Sequence, residues 1–131
     1  MITHPTFDLG AHGDSHIRFP GGKVVFLKGD PGDCAYVVKR GAIEIRDHGR
    51  VLETVGPGGI FGEMAVIDSE PRSASAVAAG PTDLVVIDRS TFEALVREVP
   101  DFAVTVIRLI SRRLRASNAV HAASDDRLAA V

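Results

Sequence analysis

Between Ile17 and Asp88 the chain is cut into short apolar runs by turn-forming residues at close intervals. The cuts are Pro20-Gly21-Gly22, Gly29-Asp30-Pro31-Gly32-Asp33, Lys39-Arg40-Gly41, Asp47-His48-Gly49 and Gly56-Pro57-Gly58-Gly59. Glycine adopts left-handed backbone freely, and proline fixes φ while lacking an N–H, so regular helix does not run through such points. The intervening runs predict strands at Ile17–Phe19, Val24–Lys28, Ala35–Val38, Ala42–Arg46, Val51–Val55, Ser75–Ala79 and Leu84–Asp88. Many short strands at this spacing point to a sandwich, jelly roll or barrel.

After Asp88 the period changes. Ser90-Thr91-Phe92-Glu93 has the form of a capping box, and Phe92, Leu95, Val96 and Val99 recur at helical spacing. Pro100 interrupts this helix and suits the first turn of another. The second helix carries Phe102, Val106, Leu109, Ile110 and Leu114 on one stripe, with Arg112, Arg113 and Arg115 toward its end, expected to be solvated. Residues 1–16 lack a period and are expected to form a loose or partly helical lead-in. The domain is expected to span 17–118, and the tail at 119–131 to be frayed. The chain has 131 residues, 45% hydrophobic and 24% charged, enough for one core without metal or disulfide staples.

The strongest chemical signal lies between the strands and the helices. Phe61-Gly62-Glu63-Met64-Ala65-Val66 is followed closely by Arg72-Ser73-Ala74-Ser75-Ala76. Glycine permits close approach of backbone N–H groups to a phosphate, and a short helix at Glu63 would aim free N–H groups at an anion. Arg72 can clamp two phosphate oxygens with its planar fork. Glu63 accepts hydrogen bonds only and repels phosphate, so its useful partner is a hydroxyl such as that of a ribose.

With its β-roll pattern, its Gly-Glu turn, the downstream arginine and trailing helices, the chain resembles the cyclic nucleotide-binding domain family. That family includes the catabolite activator protein, the regulatory subunits of cAMP-dependent kinase and cyclic-nucleotide-gated channels. The resemblance covers about residues 17–116 and is densest in the phosphate-binding cassette, residues 61–75. A looser segment is Gly29-Asp30-Pro31-Gly32, Tyr36-Val37-Val38 and Gly41, where Ala35 replaces the larger apolar residue usual in the family. The resemblance implies a mainly β fold with flanking helices. In detail this is an antiparallel, jelly-roll-like β-roll (a double-stranded β-helix) with a short cassette helix and two C-terminal helices. It implies ligand contacts at Gly62, Glu63, Met64, Ala65, Arg72, Ser73 and Ala74. Among these, Glu63 would accept from the ribose 2′-OH and Arg72 would pair with the cyclic phosphate. The Gly62 and Ala65 amides would complete the anion cradle, and Ser73 would add a hydroxyl donor. It also implies cAMP or cGMP as the ligand, with serine at 73 favouring cAMP because the family tends to use threonine there for cGMP.

Other chemistries find little support in the sequence. Asp30 and Asp33 match half a calcium loop without its closing Glu, and are read as turn-forming acids. The glycines at 56–59 are not followed by Gly-Lys-Ser/Thr, so they do not form a P-loop. The five histidines are scattered without metal-ligand spacing. Ser69, Ser73 and Ser75 lack a Gly-x-Ser-x-Gly elbow and a nearby histidine. A net charge of −2 gives no broad attraction to nucleic acid, and no apolar run is long enough to span a membrane. Cys34 is the only cysteine and favours a reducing, cytoplasmic setting.

The expectation is therefore a non-enzymatic, ligand-gated regulatory module without a resident cofactor. The resemblance implies that it signals through movement of its C-terminal helices, and its expected partners are a cyclic nucleotide and an effector, either in trans or as a missing domain of a larger protein, or a second copy docked through the C-terminal helix. The residues after the last helix are too few for a helix-turn-helix reader, so direct DNA binding is not expected of this stretch. The alternative is a non-binding protein-interaction module on the same fold.

Overall fold

A computed structural model describes residues 15–129, with side chains through Ala116. The lead-in expected at 1–16 therefore falls almost wholly outside the described residues. Eight strands come first: β1 His16–Phe19, β2 Val24–Phe26, β3 Cys34–Arg40, β4 Ile43–Asp47, β5 Arg50–Val55, β6 Ile60–Phe61, β7 Ser75–Ala78 and β8 Thr82–Asp88. Helix α1 (Glu63–Asp68) interrupts them, and α2 (Arg89–Glu98) and α3 (Pro100–Ala129) close the chain.

The strands form two antiparallel four-stranded sheets, ordered β1-β8-β3-β6 and β2-β7-β4-β5. Side-chain alternation explains how these layers stack. On β3, Val38 faces the space between the sheets, while Ala35 and Val37 face the helices. On β8, Leu84 points between the sheets, and Val85 and Ile87 point to the helices. Ile60 and Phe61 on β6 divide in the same way. This sheet is thus covered on both faces, which is why its strands read as continuous apolar runs. Ala35 is fully buried where the helices pack, so the small residue shapes the core rather than the site.

All seven expected strands are present with ends shifted by one or two residues, and β6 is an addition. A two-residue strand is too short to show alternation in sequence. The N-cap of α2 is Asp88, whose carboxylate accepts from the Thr91 amide at 2.8 Å. This corrects the capping box expected at Ser90, because the helix begins two residues earlier than its apolar stripe suggests. Helix α3 runs on to Ala129, through the stretch expected to be frayed, in keeping with the high helix propensity of its alanines. Phe102, Val106 and Leu109 bury against the sheet, and the Phe102 ring meets Phe92 edge-on at 5.4 Å. Leu114, placed on the same stripe by sequence, is 59% exposed.

Candidate functional site

Helix α1 opens from Gly62, whose φ of 76° lies in the left-handed region that a side chain would strain. This turn redirects the chain from β6 into α1 and places Glu63 inside the molecule. Glu63 is only 1% exposed, an unusual position for a carboxylate. Beside it lies a cavity of about 510 Å³. Gly62, Glu63, Met64, Ala65, Arg72, Ser73 and Ala74 all line it, so the structure gathers every sequence-derived site residue around one space. Phe26, Leu52 and Phe61 add apolar wall, and Asp47, Glu53 and Arg113 add charge.

Arg72 is 6% exposed. Its Nη1 donates to the Gly62 carbonyl at 3.0 Å and its Nη2 to the Cys34 carbonyl at 2.9 Å. Its Nε is buried without a hydrogen-bond partner. No carboxylate pairs with Arg72 among the described residues. The backbone is fixed as well: the Arg72 amide donates to Asp30 O at 2.9 Å, and the Gly29 amide donates to Arg72 O at 2.8 Å. Asp30 closes its own turn by accepting from the Leu27 amide at 3.0 Å, consistent with a turn-forming acid.

The acidic groups in the lining are already matched. A hydrogen bond from Lys28 at 3.0 Å holds the Asp47 carboxyl below its ordinary range. Glu63 is paired with Arg113, which reaches in from α3. The same guanidinium donates from Nε to Glu53 at 3.0 Å and from Nη2 to the Ile60 carbonyl at 3.1 Å. Burial alone would lower the Arg113 pKa, but the Glu63 and Glu53 carboxylates outweigh it and the net shift is upward. Arg113 was expected to be solvated and is instead the link between α3 and the cavity. Its spacing, four residues after Leu109 on the buried stripe of α3, is the signal that could have found it. Below the cavity, Phe61 stacks on Tyr36 at 5.2 Å. Burial, followed by the neighbouring Cys34 thiol, pushes the Tyr36 hydroxyl pKa well up, so it stays protonated.

Among the described residues there is no cluster of three or more His, Cys, Asp or Glu able to hold a metal ion. No helix is long and apolar enough to cross a membrane.

Residues 16–99 match the cyclic nucleotide-binding domain, more than half of the chain. Over 102 residues, 74% of this chain and 47% of the other, the sequence is 41% identical to the cyclic AMP receptor protein of Thermus thermophilus. The crystal structure of the Thermus thermophilus catabolite activator protein superposes with a TM-score of 0.71 at 39% identity, covering 79% of this chain and 51% of that one. The regulatory domain of Toxoplasma gondii PKA, solved with cAMP, gives a TM-score of 0.57 at 32% identity, covering 61% and 32%. The chain spans about half the length of the curated relatives it matches first. A buried arginine and a buried carboxylate facing one cavity, set on a β-roll that matches over these residues, establish that the chain belongs to the cyclic nucleotide-binding domain family.

Proposed function

We propose that the cavity binds cAMP in preference to cGMP and that occupancy is passed on through α3. Arg72 carries this reading. It is a buried cation with no carboxylate partner among the described residues and with its Nε unpaired, and burial of a charge is costly until an anion completes it. A cyclic phosphate supplies that anion. Glu63 then takes the ribose hydroxyl, and the apolar wall takes the base. Serine rather than threonine at 73 and the cAMP-bound regulatory domain from Toxoplasma gondii support cAMP.

The signal follows from the contact between Arg113 and Glu63. A ribose hydroxyl at Glu63 shares or replaces the guanidinium that anchors α3. The two arrangements of α3 therefore differ in ligand affinity, which is the condition for a ligand to shift them. The recipient of the signal is an effector, in trans or on the same chain, or a second copy. Val104, Ile107 and Leu114 support the last of these, because they are exposed along one face of α3. The module performs no chemistry on its ligand. Its unpaired Cys34 suits a cytoplasmic setting.

Thermal unfolding with cAMP and with cGMP tests the reading. At 100 times the dissociation constant, a ligand adds about 2.7 kcal/mol. A larger shift with cAMP is expected, with the nucleotide recovered intact by chromatography. No shift with either ligand would favour the protein-interaction module.

A further inference from the structure

The Arg72 guanidinium is packed more tightly than its hydrogen bonds require. Its Cζ lies 4.1 Å from the centre of the Phe26 ring. Gly32 also crowds it: a Cβ at residue 32 would fall 2.4 Å from Nε and 2.5 Å from Cζ. The backbone at Gly32 is not in the left-handed region, so its conformation does not call for glycine. The space that the guanidinium occupies does.

We propose that Phe26 and Gly32 are positioning residues that fix Arg72 before the phosphate arrives. The proposal rests on the reading of the cavity as a cyclic-phosphate site. A free arginine loses much rotamer freedom when it clamps an anion. Here the ring of Phe26, the bare Cα of Gly32 and the carbonyls of Gly62 and Cys34 have already removed that freedom. The loop after β2 thus holds both the backbone and the side chain of the arginine. Any side chain at 32 forces the guanidinium off the ring and away from its two carbonyls.

Isothermal titration of cAMP into wild type, Gly32→Ala, Arg72→Lys and the double variant tests this. With Arg72 present, Gly32→Ala is expected to raise Kd at least about tenfold, the factor that corresponds to 1.4 kcal/mol. In the Arg72→Lys background the same change is expected to cost less than about threefold, because lysine places no planar fork beside residue 32. Phe26→Leu keeps apolar bulk and serves if Gly32→Ala does not fold. It is expected to raise Kd roughly threefold or more, again only with Arg72 present. Equal losses in both backgrounds would indicate general damage to the loop and overturn the proposal. So would wild-type affinity in Gly32→Ala and Phe26→Leu while Arg72→Lys binds weakly. Wild-type affinity in Arg72→Lys itself would overturn the phosphate site and the positioning role together.

Discussion

Arg72 and Glu63 lie nine positions apart in sequence and face one cavity with opposite charges. The proposed function gives each a separable task. Hydrogen bonds to charged partners contribute roughly 1.5–3 kcal/mol each, so Arg72→Ala should weaken cAMP binding on the order of 100-fold by isothermal titration. A silent change would remove the phosphate assignment. Glu63→Ala should erase discrimination between cAMP and its 2′-deoxy analogue, and retained discrimination would place the ribose elsewhere. Both residues were legible in sequence because a phosphorylated sugar demands an arginine and an acceptor close to a glycine turn. Arg113 was not legible. It follows Phe102, Val106 and Leu109 at helical spacing, unlike Arg112 and Arg115, but its partner Glu63 lies 50 positions away and nothing local announces that pairing.

At the scale of elements, the strands were legible because turn residues bracket each apolar run. β6 escaped because Ile60 and Phe61 gain their strand partners only through β3, a long-range pairing. The start of α2 was misplaced for a related reason, since Asp88 ends a strand and caps a helix at once. The Thr91 amide holds the Asp88 carboxyl below its ordinary value of 3.8. A carboxyl lowered by folding contributes stability that is present above the unfolded value and lost as pH falls through the folded one. The stability gap between wild type and Asp88→Ala should therefore be open at neutral pH and close below about pH 3.8, read from urea midpoints. A gap independent of pH would discount the cap. Phe102 anchors α3 and is fully buried. Phe102→Ala should cost about 3–5 kcal/mol by the same measurement, and a loss under about 1 kcal/mol would show that α3 is held elsewhere.

For the whole molecule, α3 is tied to the site by the Arg113 guanidinium and to the core by its first turns. Amide exchange across residues 100–116 should differ between free and cAMP-bound protein, and identical protection would remove α3 from the response. The helical extent of α3 beyond Ala116 was hidden in sequence, because alanine and aspartate read equally as a tail. Its 30 residues make it about 45 Å long at 1.5 Å per residue. In the proposed response the helix acts as a lever, pivoted near the buried Phe102 and tethered partway along at Arg113. A tilt of about 10° at the pivot carries the far end through roughly 7 Å at that rise per residue. If cAMP changes the partner of Glu63 as proposed, that change at one buried carboxylate is geared up into a displacement wider than a side chain, and a partner at the tip would register the ligand as travel rather than as touch.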